Sequence, residues 1–145
     1  MPEVEDPSLT RRIVVGVDGS AGSDKALDWA IAEAIRFPAA LELATAWMFP
    51  MALGYVFAKT PDEERQEVRR IGDIAVSHVT DVAPQVVVRA SLSEAEAGPA
   101  LVSLSTGADL LVVGARGHSG LRELLLGSVG TYCARHAHCP VVIVR

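Results

Sequence analysis

The chain has 145 residues, of which 50% are hydrophobic, and it carries 13 basic against 18 acidic residues, for a net charge of -5. This length fits one domain. The acidic balance argues against a broad surface for nucleic acid or an anionic membrane, since both need clustered Lys and Arg. The start, MPEVEDPSLTRR, has no basic stretch followed by an apolar run, and no apolar stretch approaches the length of a membrane span. We therefore expect a cytoplasmic protein that crosses no membrane.

The first third of the sequence predicts a strand, a helix and a second strand. Residues 11–18, RRIVVGVD, are a β-branched run typical of a buried strand. In the helix that follows, Ser23 is the predicted N-cap. The apolar positions of this helix fall on one face: Leu27, Ala30, Ile31, Ala34 and Ile35. Residues 41–47, LELATAW, predict the second strand, and residues 48–60 after it form the least regular segment.

A long surface helix and a third strand come next. From Pro61 the sequence places acidic residues in a first helical turn, where the helix dipole favours them. One apolar stripe runs along this helix: Val68, Ile71, Ala75, Val79 and Val82. Residues 85–91, QVVVRAS, predict the third strand. A short helix then begins near Pro99 and ends before Gly107.

The last third of the sequence completes an alternating pattern. Residues 108–115, ADLLVVGA, predict a fourth strand, SVGTYCARHAH a last helix, and residues 140–145, PVVIVR, a fifth strand. Strands that alternate with helices predict an α/β fold with one open five-stranded parallel sheet and helices on both faces. We expect a flexible N-terminus over residues 1–10 and a single domain over residues 11–145.

Five of the 12 glycines lie in residues 114–130, directly after the fourth strand. Ligands on such sheets bind beyond the carboxyl ends of the strands, where the strand order reverses. Gly127 and Ser128 open the last helix, and free N–H groups at a helix start form a natural phosphate site. Glycines before them would leave the backbone open to a ligand. The alternative interpretation is that the glycines serve loop geometry alone.

The spacing of these glycines distinguishes between several nucleotide-binding motifs. GxGxxG should follow the first strand, where the sequence reads GVDGSAGS, and GxxxxGK[ST] does not occur. The pattern that fits is Gly-x2-Gly-x9-Gly-[Ser/Thr], with Gly114, Gly117, Gly127 and Ser128. Together with RRIVVGVDGSAGSDKALDWAIAEA near the front and HAHCPVVIVR at the end, it resembles the ATP-binding branch of the universal stress protein family. The resemblance covers nearly the whole chain.

The resemblance implies a ligand, an assembly and a set of site residues. It implies ATP, with or without Mg²⁺, at the switch point between the first and fourth strands, and a homodimer through the last strand. Asp18 would lie over the nucleoside, and the backbone of Ala46 would recognise the adenine edge. The other implied positions are Gly16 and Val17 before Asp18, Val113 and Gly114 beside the ribose, and Gly117, Gly127, Ser128, Val129 and Gly130 around the phosphates. Because Gly130 stands where many relatives have a serine, we expect one hydroxyl contact to phosphate to be missing.

Several of these residues also have simpler interpretations. Asp18 could be a turn residue that accepts backbone hydrogen bonds, and Ser128 is a good N-cap. Arg116 and His118 are loop side chains that could reach phosphate or stay solvated. Cysteine spacing does not predict a metal site.

Catalytic patterns are also absent from the sequence: we find no Ser-His-Asp order, HExxH or paired carboxylates. We therefore predict a nucleotide-dependent stress sensor or regulator. Two alternatives stay open. One is a protein of the same fold that binds no nucleotide and acts through protein partners, and the other is a slow ATP hydrolase.

Overall fold

The computed structural model describes residues 11–48, 59–116 and 126–145. Strands and helices alternate along these ranges: β1 (Arg12–Gly16), α1 (Ala21–Arg36), β2 (Ala40–Trp47), α2 (Pro61–Val82), β3 (Val88–Glu94), α3 (Ala97–Ser105), β4 (Leu110–Gly114), α4 (Ser128–His136) and β5 (Val141–Val144). All pairings are parallel, in the order β3-β2-β1-β4-β5. The predicted α/β fold is confirmed, and the strand order reverses between β1 and β4. None of the helices in the described ranges is long and apolar enough to cross a membrane.

The sheet buries side chains on both of its faces. Ile13 and Val15 of β1 belong to the core beneath α1 and α2, whereas Val14 belongs to the core beneath α3 and α4. All three side chains are fully buried. A strand covered on both faces reads as a continuous apolar run, which is why residues 11–18 show no polar alternation.

The N-cap of α1 lies three residues before the predicted one. Ser20 is the N-cap, and its side-chain oxygen accepts a hydrogen bond from the backbone N–H of Ser23 at 3.2 Å. The prediction that Ser23 caps the helix is therefore wrong. Ile35, predicted to lie on the buried face, is 49% exposed. At 3.6 residues per turn it lies about 80° around the helix from Leu27, outside the buried stripe.

Local signals fix the start of α2. Thr60 is the N-cap and forms a capping box with Glu63, and Pro61 opens the helix as predicted. At the other end, the predicted core residue Val82 is 56% exposed. The helix ends at Val82, and the next residue, Ala83, is buried in the core instead of Val82.

The third strand lies three residues later than its valines indicate. It pairs with β2 from Leu41, opposite Val88, to Trp47, opposite Glu94. Pairing along β2 therefore extends β3 into the polar sequence at the end of β3. An edge strand tolerates such polar residues. Val86, predicted to lie in the strand, is buried in the core just before it.

Candidate functional site

A cleft lies at the carboxyl ends of β1 and β4, where the strand order reverses. Its volume is about 160 Å³. The sequence-predicted residues that line it are Gly16, Val17, Asp18, Ala46, Val113, Gly114, Gly127, Ser128, Val129 and Gly130. Gly117 and His118 lie outside the described residues. The fold thus brings together predicted positions from β1, β2, β4 and α4.

The cleft also contains residues that the sequence did not point to. They are Ser20, Ser23, Ala44, Thr45, Ala97, Ala100, Leu101 and Ala115. Arg116, a loop side chain that the sequence offers as a phosphate contact, lines the cleft as well. Ala44 was within reach of prediction, since it lies two residues before Ala46 and so on the same face of β2. The residues that α3 contributes could not be predicted, because the sequence of a helix does not show which other element its face packs against.

Asp18 has the turn role that the sequence left open, and it borders the cleft as well. Its Oδ1 atom accepts hydrogen bonds from the backbone N–H of Ser20 at 2.9 Å and from the Ser20 hydroxyl at 2.5 Å. The backbone N–H of Asp18 donates to Oγ of Ser23 at 3.3 Å. These bonds fix the carboxylate at the start of α1 and hold it at the cleft wall.

Backbone contacts within the protein explain the glycine at the end of β4. A Cβ atom on Gly114 would lie 2.7 Å from the carbonyl carbon and oxygen of Gly22. A Cβ atom on Gly22 would lie 2.1 Å from the carbonyl oxygen of Arg116. The first turn of α1 and the loop after β4 therefore touch through their main chains, closer than any side chain allows.

The two glycines of α4 that line the cleft are also closely packed. A Cβ atom would lie 3.2 Å from the carbonyl oxygen of Ala115 at Gly127, and 2.9 Å from Cδ1 of Leu126 at Gly130. At Gly127 the neighbour is backbone, so packing restricts a side chain there, whereas at Gly130 it is the end of a leucine side chain that can move. Support for a ligand must therefore come from features other than glycine content.

The start of α4 differs from the starts of α1 and α2. Gly127 is the N-cap and supplies no side-chain hydrogen bond, and Ser128 is already the first helical residue. The prediction that Ser128 caps the helix is wrong. Without a capping side chain, the first N–H groups of α4 need other acceptors. Ser128, Val129 and Gly130 line the cleft, so this helix end borders the open space.

Charges are unevenly placed around the cleft. Among the described lining residues, Asp18 is the carboxylate and Arg116 the cation. The Cα atom of Arg116 lies 3.7 Å from the Cβ position on Gly127, so this residue sits beside the start of α4. The positive end of the α4 dipole adds to the same side. The cleft is therefore suited to an anion at α4 and to a neutral or donor group near Asp18.

Comparisons with known proteins agree with this architecture. The profile of the Universal stress protein family matches residues 10–145. Universal stress protein YxiE of Bacillus subtilis (strain 168) is 34% identical over 148 residues, covering 94% of this chain and 100% of that protein. Universal stress protein Rv2623 of Mycobacterium tuberculosis (strain ATCC 25618 / H37Rv) is 37% identical over 92% of this chain, which spans 47% of that protein's length.

A solved relative extends the comparison to structure. A universal stress protein in complex with cAMP superposes with a TM-score of 0.69 at 29% identity, over 93% of this chain and 97% of that one. Family profile, sequence relatives and structure thus lead to the same assignment. The chain belongs to the universal stress protein family.

Proposed function

We propose that this protein binds an adenine nucleotide, ATP, in the cleft between β1 and β4 and acts as a nucleotide-dependent stress sensor or regulator. The observation that carries the proposal is the uncapped start of α4, which borders the cleft at the strand-order reversal. Arg116 beside it adds a positive side chain. The relative solved in complex with cAMP supports an adenine nucleotide as the ligand.

The size of the cleft bears on how a nucleotide would lie in it. Its volume of about 160 Å³ is below the range of about 300–1,000 Å³ usual for small-molecule sites, so the described residues would enclose only part of the nucleotide. The phosphates would lie beside the start of α4, where the helix N–H groups favour an anion, and the base beside Ala46 at the end of β2. Mg²⁺, where present, would be carried by the phosphates.

Each site residue then has a proposed role. Asp18 would contact the nucleoside, and the backbone of Ala46 the adenine edge. The remaining roles are Gly16 and Val17 along the inner wall, Val113 and Gly114 at the ribose, and Gly117, Gly127, Ser128 and Val129 at the phosphates. Gly130 has no side chain, so this position would contribute no hydroxyl.

We also propose a homodimer through β5 and a location in the cytoplasm, where ATP is available. In the described part of the chain β5 pairs with β4 alone, which leaves its other edge open. All four of its residues, Val141–Val144, are half-buried. An open apolar edge favours pairing with a second copy. Sedimentation of the full chain at micromolar concentration tests this, and a folded monomer would contradict it.

Isothermal titration with ATP, ADP, AMP and cAMP, with and without Mg²⁺, tests the nucleotide proposal. The sharpest variant is Ser128→Glu, since a carboxylate in the first turn of α4 favours the helix but repels phosphate. We expect unchanged or raised stability and an affinity for ATP lower by at least about tenfold. Ser77→Glu, an exposed position on α2, is the matched control and should bind as the wild type does.

The alternatives give different results in the same experiments. Wild-type protein that binds no adenine nucleotide at millimolar concentration with Mg²⁺ would reject the proposal and favour a protein that acts through partners alone. Steady phosphate release under saturating ATP and Mg²⁺ would favour the hydrolase instead.

A further inference from the structure

A second cavity lies on the other face of the sheet, in the groove between α1 and α2. Its volume is about 520 Å³, within the range of about 300–1,000 Å³ usual for small-molecule sites. Its apolar part is formed by Val17 just after β1, Leu27 of α1, and Ile71 and Ala75 of α2. These side chains come from three separate elements and give the cavity an apolar floor.

One edge of this cavity exposes a large apolar side chain. Ile74 of α2 lines the cavity and is 61% exposed. Farther along the groove, Nε2 of His78 on α2 lies 3.0 Å from Oδ1 of Asp28 on α1. This contact joins the two helices at one end of the cavity. An apolar ligand in the groove would cover Ile74 and remove its surface from water.

The charge at the rim defines what such a ligand must carry. Asp24 and Asp28 of α1 line the cavity together with His78 of α2, which contacts Asp28, and among the described lining residues there is no Lys or Arg. Negative charge above an apolar floor favours a cation with an apolar body and disfavours phosphates. This chemistry is opposite to that of the cleft beside α4, although the two cavities share Val17.

We propose that the cavity between α1 and α2 is a second ligand site, which binds a small amphiphilic cation: an aromatic or aliphatic group bearing one amine or guanidine. The apolar body lies against Leu27, Ile71 and Ala75, and the cation faces Asp24, with Asp28 beside it in contact with His78. The site is independent of the nucleotide proposal, because it uses the opposite face of the sheet and the opposite charge.

The proposal is tested by titrating the full chain with phenethylammonium and recording backbone amide shifts by NMR. We expect saturable shifts in residues 24–28 and 71–78. The neutral 2-phenylethanol should bind at least about fivefold more weakly, and the anionic 3-phenylpropionate should not bind. Absence of saturable shifts, shifts confined to the cleft beside α4, or equal binding of the three compounds would each overturn the proposal.

Two substitutions on α2 provide a matched pair. Ile74→Lys places an amine in the cavity, whereas Val82→Lys makes the same change at a residue outside it that is also largely exposed. We expect Ile74→Lys to weaken phenethylammonium binding at least about tenfold and Val82→Lys to leave it unchanged. Asp24→Asn, which removes rim charge without changing shape, should weaken binding as well. Wild-type affinity in Ile74→Lys and Asp24→Asn would refute the assignment.

Discussion

Two glycines in helices should respond in opposite directions to the same added methyl group. Gly22 lies in the first turn of α1, and a Cβ atom there would be 2.1 Å from the carbonyl oxygen of Arg116. Gly72 lies inside α2, and its nearest neighbours to a Cβ atom would be Cγ2 of Thr45 at 3.6 Å and Cβ of Ala90 at 3.7 Å. The first site has no room for a methyl group, and the second makes ordinary contacts.

These distances give the expected size of each effect. An ordinary carbon–oxygen contact is about 3.3 Å, so Gly22→Ala must push α1 and the loop after β4 apart by about 1.2 Å. Both sides are backbone, and we expect a loss of about 2 kcal/mol in the free energy of unfolding, within the usual range for overpacking. Gly72→Ala should gain about 0.5–1 kcal/mol, because alanine loses less backbone entropy in a helix.

Urea denaturation and calorimetry of the two variants measure this difference directly. The changes correspond to a midpoint lower by roughly 4–8 °C for Gly22→Ala and higher by roughly 2 °C for Gly72→Ala. Gly22→Ala should also weaken ATP binding, because Arg116 and the start of α4 move with the loop. A Gly22→Ala variant as stable as the wild type would contradict a close backbone contact between α1 and this loop.

Further predictions concern a buried ion pair, a helix cap and a thiol. Glu42 is 5% exposed and lies 2.5 Å from Nη1 of Arg12 and 3.3 Å from Nη2 of Arg89. Arg12→Ala should therefore cost about 3 kcal/mol in urea denaturation, since it strips the main partner from a buried carboxylate, whereas Arg89→Ala at a half-exposed side chain should cost under about 1 kcal/mol. Equal losses would contradict this ranking. Thr60→Ala removes the side-chain cap of α2, and we expect calorimetry to give a loss of about 1 kcal/mol; an unchanged midpoint would speak against the capping box. Burial raises the pKa of the Cys133 thiol from 9.0 to about 11. Its contribution to stability is therefore intact below pH 9 and lost as the pH rises from 9 to about 11, where the unfolded thiol ionises first. Denaturation at pH 8 and pH 10.5 should show this loss, and Cys133→Ala should reduce it; the same pH dependence in both proteins would argue against the raised pKa.

Features with local signals were predictable from the sequence, and features set by distant contacts were not. Pro61 and the acidic residues after it gave the start of α2, since capping and dipole effects act within one turn. The alternation of strands and helices gave the sheet and hence the location of the cleft. The start of β3 was misplaced because its register follows β2 rather than its own valines. Ser20 and Ser23 are both serines, so residue type does not decide which of them caps α1. The choice depends on where the chain turns into the helix after β1.

The reason for the glycines was the least accessible feature, because it depends on two segments far apart in the sequence. Gly22 and Gly114 allow the start of α1 to touch the loop after β4. In that loop, the carbonyl oxygen of Ala115 accepts a hydrogen bond from the N–H of Gly127 at 2.8 Å, and the N–H of Ala115 donates to the carbonyl oxygen of Val144 at 2.8 Å. The loop thus joins α1, the start of α4 and the end of β5.

It follows that glycine substitutions here would act through backbone position. A valine at Gly127 would press on Ala115 before it met any phosphate, so lost nucleotide binding in that variant would not separate a blocked site from a displaced helix. Ser128→Glu avoids the ambiguity, because Ser128 is exposed and supplies no cap. A carboxylate there changes the charge that a phosphate would meet and leaves the packing of the loop intact. Loss of ATP binding in this variant, with stability retained, would therefore identify the start of α4 as the phosphate site.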